Sequence, residues 1–128
     1  MNEDSYTLLE RAPSPEEYLS LREAAGLKPV EREAARKGLS NSLYAISVVH
    51  EGRLIGTGRV IGDGGLYFYI QDLIVTPEFR GEGLETCIMD KLMEFLHESA
   101  PPNAFFCVRA GEEGSDFCRQ FGFAPEGL

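Results

Sequence analysis

The sequence predicts a mixed α+β domain built on a single sheet. Three observations lead there. Between Leu43 and Val75 the chain is rich in β-branched and aromatic residues and is broken twice by glycine-containing turns. The segments before this block carry the period of amphipathic helices. After it comes a long helical stripe, then one more short apolar run. A chain of 128 residues suits one domain, spanning 1–128, with one core.

The elements follow in order. "YTLLE" (Tyr6–Glu10) reads as a short strand. In "SPEEYLSLREAAG", Ser14 caps a helix, Pro15 takes its first position and Glu17 completes a capping box. Tyr18, Leu21 and Ala25 form its apolar face and Gly26 stops it. "KPVEREAARKGL" repeats the scheme, with Val30, Ala34 and Leu39 as its apolar side. "LYAISVVHE" (Leu43–Glu51), "LIGTGRVIG" (Leu54–Gly62) and "LYFYIQDLIV" (Leu66–Val75) then read as an antiparallel meander. Strict alternation along the third strand puts Tyr67, Tyr69 and Gln71 on one face and Asp72 on the other. Gly56 and Gly58 read as points of close packing rather than phosphate contacts. Pro77 ends the meander. From Gly83 to His97 the chain is helical, with Leu84, Ile88, Leu92 and Phe95 as a stripe that Cys87, Met89 and Leu96 widen. "PPN" breaks it. "AFFCVRA" (Ala104–Ala110) reads as a buried strand because it is apolar nearly throughout. After a "GEEG" loop, "SDFCRQFGF" reads as a short helix closed by Gly122.

Composition narrows the function classes. The formal net charge of −9 disfavours nucleic acid, whose phosphates need clustered Lys and Arg. It is compatible with a cationic substrate such as an amine, and also with plain solubility. No apolar run has the roughly 18 residues of a membrane span. The acidic start "MNEDSYTLLE" lacks a secretory pattern. Cys87, Cys107 and Cys118 are odd in number and form no C-x-x-C, and His50 and His97 have no ligand-spaced partner. Free thiols, no metal and a cytoplasmic location are the expectation.

The chemistry concentrates in "IQDLIVTPEFRGEGLE". A strand runs through Pro77 to Arg80, and Gly81 and Gly83 let successive N–H groups point one way as a helix begins. Those groups have no intrahelical partner and stand at the positive end of the helix dipole. A diphosphate is their natural ligand, and Arg80 adds charged donors.

The longer string D-L-x-V-x-P-x-x-R-G-x-G-L resembles the motif of the GNAT acetyltransferase superfamily, V-x-P-x-x-[QR]-G-x-G-[IL]-[GA]. It matches at every position but the last, and the order of elements over roughly residues 5 to 124 is similar to that fold. The resemblance implies that the third meander strand and the strand after the long helix lie parallel and splay apart, often at a bulge. The pantetheine arm of acetyl-CoA would lie in that gap against backbone groups of Leu73, Ile74 and Val75. One N–H there would polarise the thioester carbonyl. Arg80 and the N–H groups of Gly81, Glu82, Gly83, Leu84, Glu85 and Thr86 would hold the pyrophosphate. A small primary amine would attack directly, and many relatives pair as homodimers.

Three positions depart from the pattern. Glu85 stands where the family has Gly or Ala, and its charge opposes a phosphate. Glu82 and Glu85 are also placed to stand in for the phosphate at the helix end. Cys118 stands where the family has a tyrosine that protonates the departing thiolate; it reads as a substitute proton donor or as a small buried hydrophobe. After "GF" the chain runs only through "APEGL", where relatives add strands. Asp72 is the candidate base, acting through water, or else a salt-bridged strand carboxylate. Tyr67, Tyr69, Gln71, Arg59 and Tyr44 are further polar candidates. Two function classes follow: an acetyl-CoA-dependent N-acetyltransferase, or a GNAT-fold binding or regulatory module with weak or no CoA binding.

Overall fold

The computed structural model describes residues 6–108 and 118–123. Its elements are β1 (Tyr6–Leu9), α1 (Pro15–Ala24), α2 (Arg32–Ser40), β2 (Tyr44–His50), β3 (Arg53–Gly62), β4 (Tyr67–Val75), a 3₁₀ turn (Pro77–Phe79), α3 (Leu84–Ser99) and β5 (Phe105–Val108). This is the predicted order as far as β5. The predicted strand residues Arg109 and Ala110, the "GEEG" loop, the start of the last helix and the tail after Phe123 lie outside the described residues.

The capping box of α1 forms as its sequence requires. Glu17 N–H donates to Ser14 Oγ at 3.1 Å, and Ser14 N–H donates back to Glu17 Oε1 at 2.9 Å. That backbone donor, aided by Arg11, holds the Glu17 carboxyl below its ordinary range. Gly26, at φ 77°, turns the chain out of the helix while Leu27 N–H closes on the Arg22 carbonyl at 2.9 Å. The apolar side of α2 differs from expectation. Ala35 and Leu39 are buried, whereas Ala34 and Val30 are exposed. The helix starts only at Arg32, after Pro29, so Val30 precedes it and the i, i+4 pair is Ala35–Leu39.

The sheet order is β1-β2-β3-β4-β5. The first four strands are antiparallel, and β4 pairs β5 in parallel with α3 as the crossover. Its faces carry two clusters. Ile46, Val48, Ile55, Val60, Phe68, Ile70 and Val75 pack under α3, whose buried stripe is Leu84, Ile88, Met89, Leu92 and Leu96. Tyr18, Leu21, Ala35, Leu39, Leu54 and Ile74 form the second cluster, beneath α1 and α2. Cys87 is exposed, because it falls on the solvent side of the α3 stripe. In β5, Phe105 and Phe106 are exposed rather than buried. The strand has β4 as its sole neighbour among the described residues, and an apolar run is buried only where another layer covers it.

Gly56 and Gly58 act as the sequence suggests. A Cβ on Gly58 would stand 2.7 Å from Ile88 Cγ2 and 3.0 Å from Leu92 Cδ1, so α3 seats directly on the β3 backbone. Gly58→Ala is therefore expected to overpack this contact and cost about 1–3 kcal/mol. Urea unfolding should show a lower midpoint at unchanged slope; an unchanged midpoint would mean that α3 has slack to retreat.

Candidate active site

The site is built where β4 gives way to α3. Between Thr57 and Arg59 the β3–β4 register shifts: Thr57 opposes Ile74, but Arg59 opposes Gln71. Strand β4 therefore carries one extra residue opposite Gly58, a β-bulge. Asp72 takes up the irregularity with φ 60°, a conformation that Asp tolerates better than most residues. The bulge moves Asp72 onto the face of Arg59 and Gln71, the α1/α2 side, and so corrects the alternation expected from the sequence. The last described pair with β5 is Ile70–Val108, and β4 continues through Gln71–Val75.

Past Val75 the chain turns through Pro77–Phe79 into a loop whose two glycines are left-handed, Gly81 at φ 80° and Gly83 at φ 87°. A Cβ at either would meet nothing within 4 Å, so these glycines serve conformation, in an open mouth. Gly83 caps α3 without a side-chain hydrogen bond, and the first closed bond is Cys87 N–H to the Gly83 carbonyl at 3.1 Å. Among the described residues nothing accepts from the N–H groups of Gly81, Glu82, Gly83, Leu84, Glu85 or Thr86. Neither nearby carboxylate fills the cradle. Glu82 Oε1 instead accepts from Tyr6 Oη at 2.8 Å, and Glu85 is half-buried with no hydrogen bond. Arg80 Nε donates to the Val75 carbonyl at 3.0 Å, which holds the guanidinium at the junction of β4 and the loop. Thr76 is buried there too, and its Oγ1 is the one buried side-chain polar atom without a partner among the described residues.

The family model for the GNAT acetyltransferase domain matches residues 10–127. The chain belongs to the GNAT acetyltransferase family. A probable acetyltransferase of unknown function from methicillin-resistant Staphylococcus aureus is 35% identical, with a TM-score of 0.88 over 94% of this GNAT domain and 90% of that chain. A GNAT family protein from Streptococcus pneumoniae is 25% identical with a TM-score of 0.74, over 93% of this chain and 87% of the other. The chloroplastic GCN5-related N-acetyltransferase 2 of Arabidopsis thaliana is 32% identical over 80 residues, 61% of this chain but 30% of its own length. This GNAT domain thus spans under a third of that curated relative. Family and neighbours support acetyl transfer in general, and acetyl-CoA is the acetyl donor that the family generally uses.

The other predicted residues divide. Leu73, Ile74 and Val75 lie on the β4 extension beyond the bulge, and the loop residues cluster at its end. Asp72 stands apart, in an ion-pair network. Arg59 Nε donates to Asp72 Oδ2 at 2.8 Å, Arg22 Nη1 lies 4.0 Å from Oδ1, and Arg59 Nη1 also reaches the Gly38 carbonyl and Ser42 Oγ at 3.0 Å each. Burial pushes the neighbouring Tyr18 phenol up, and the Asp72 charge adds to this. Cys118 is buried, and desolvation raises its thiol above the ordinary range, so it carries its proton at neutral pH. Its carbonyl accepts from Phe121 N–H at 3.0 Å, and Gly122 at φ 95° closes that turn as expected. Tyr44 donates to Glu10 Oε2 at 2.6 Å and stacks on Phe95. Sequence reasoning missed the roles of Arg22, Tyr18 and Tyr6. Tyr6 and Glu82 are 76 positions apart, and no local pattern links them. No described helix is long and apolar enough to cross a membrane.

Proposed function

We propose that this domain transfers the acetyl group of acetyl-CoA to the primary amine of a small molecule by direct attack. The observation that carries the reading is the row of unpartnered N–H groups from Gly81 to Thr86, at the end of the β4 stretch that runs on past the last described β5 pair. Oriented backbone donors at a helix N-terminus suit a diphosphate, and the open glycine mouth admits one. Acetyl-CoA would supply the activated thioester. Backbone groups of Leu73, Ile74 and Val75 would orient the pantetheine arm, with one N–H polarising the acetyl carbonyl. Arg80 would need only to release the Val75 carbonyl to add a charged fork.

The two proton transfers go largely through water. Asp72 is paired with Arg59 and approached by Arg22, so it is poorly placed to collect the ammonium proton directly. Burial raises the Cys118 thiol, which makes it a weaker proton donor than an ordinary cysteine. Cys118 then acts as a small buried hydrophobe.

Calorimetric titration with acetyl-CoA, joined to thiol release over an amine panel, tests the reading. Binding on the order of micromolar with amine-dependent thiol release is expected, within the ordinary range for enzymes. Weak binding without release would favour the binding-module reading, which Glu85 motivates. Absent binding would overturn both the donor assignment and the proposal.

A further inference from the structure

Resting on this reading, we infer that Tyr6 is a positioning residue for the cofactor cradle. It holds the Glu82 carboxylate away from the N–H groups that would take the pyrophosphate. Glu82 sits in the middle of the cradle loop, between the two left-handed glycines. Free to rotate, its carboxylate is a tethered anion beside unpartnered donors at the positive end of α3, and it would compete with any phosphate for them. The structure shows it turned elsewhere, onto Tyr6 Oη at 2.8 Å.

Tyr6 is well anchored for this task. Its backbone pairs with His50 at the β1–β2 register. Its ring meets His50 edge-on at 5.8 Å and Phe79 at 5.7 Å, and those two rings meet each other at 5.2 Å. Phe79 closes the 3₁₀ turn that delivers the loop. One aromatic cluster therefore fixes both the hydroxyl donor and the base of the loop, so the bond to Glu82 forms with little further ordering. The first strand of the sheet, remote in sequence, reaches the cradle loop through this hydroxyl.

The test is a double-mutant cycle on acetyl-CoA and on ADP as a diphosphate probe, read by calorimetry on the full chain. Tyr6→Phe keeps the ring packing and removes only the hydroxyl; it is expected to weaken binding of both ligands about three- to tenfold, the range of a tethered like charge in partly screened surroundings. Glu82→Gln removes the competing charge and should bind more tightly than wild type. In the Glu82→Gln background, Tyr6→Phe should then have no effect. An equal Tyr6→Phe loss in both backgrounds would make Tyr6 a packing residue and overturn the inference, as would wild-type affinity in Tyr6→Phe alone. If wild type binds neither ligand, the donor reading fails and this inference with it. The two failures are thus told apart by the wild-type titration.

Discussion

Replacing Glu85 is expected to tighten acetyl-CoA binding by about tenfold, from the repulsion between like charges near 4 Å, which is about 1 kcal/mol in water and about 4 kcal/mol at an effective dielectric of 20. Glu85 is the second residue of α3, half-buried, and its carboxylate bonds to nothing described. It therefore adds negative charge at the mouth without satisfying the N–H groups itself. Three substitutions separate charge from bulk. Glu85→Gln removes the charge and keeps the size, Glu85→Ala removes both, and Glu85→Gly also loosens the helix, by about 1 kcal/mol relative to Ala. If charge dominates, Gln recovers most of the gain, and the gain shrinks at about 1 M salt, where the Debye length falls to about 3 Å. If bulk dominates, only Ala and Gly recover it. The same substitutions should slightly lower the melting temperature, because a first-turn carboxylate favours the helix by about 0.3–1 kcal/mol. Tighter binding with a lower melting temperature is a pairing that generic stabilisation would not produce. Wild-type affinity in all three variants would mean that Glu85 does not face the phosphates.

How much of this was legible in the sequence depends on the range of the interaction. Local chemistry read well: the Ser14–Glu17 box, the Gly26 stop, Gly83 before α3 and the α3 stripe all depend on residues within about one or two turns. Gly56 and Gly58 read as packing positions, and the structure seats the α3 side chains Ile88 and Leu92 against them. The errors came where a local pattern was extended across an irregularity. Alternation has no term for an extra residue, so the bulge at Asp72 reversed the predicted face. The hints were an αL-tolerant Asp on one strand and a glycine on its partner, neither of which fixes a register by itself. The α2 face slipped because the helix starts only at Arg32, so Val30 precedes it and the buried pair is Ala35–Leu39. The burial expected for Phe105 and Phe106 failed because it depends on which layer covers a strand, a property of the whole fold. The Tyr6–Glu82 bond and the arginine network are likewise tertiary, assembled by the sheet order.

That network makes Asp72 the position where a catalytic and a structural role predict opposite results. Asp72 and Arg59 side chains are only 14% and 13% exposed, and Arg59 also tethers the end of α2 through Gly38 and Ser42. Removing one partner of this part-buried pair leaves the other charge poorly compensated, at up to about 3 kcal/mol. Asp72→Asn keeps a side chain that tolerates the φ of 60° and loses only the charge. Asp72→Ala also meets backbone strain of about 1–2 kcal/mol in the left-handed region, so it should be the less stable of the two. Arg59→Met combined with Asp72→Asn should cost less than the sum of the single changes, because neither member of that pair is left charged without the other, and Arg22 keeps its bonds to the Lys28 carbonyl. Urea unfolding of wild type, the three single variants and the double variant gives these differences directly. Thiol release measured well below the melting transition should meanwhile stay near wild type in Asp72→Asn. A variant of unchanged stability that loses turnover by a hundredfold or so, the scale of a missing general base, would reverse the assignment and return Asp72 to the proton path. The structural outcome is the one that the geometry favours: two arginines converge on this carboxylate, and the bulge that presents it to them also begins the end of β4 where the acetyl donor is proposed to lie.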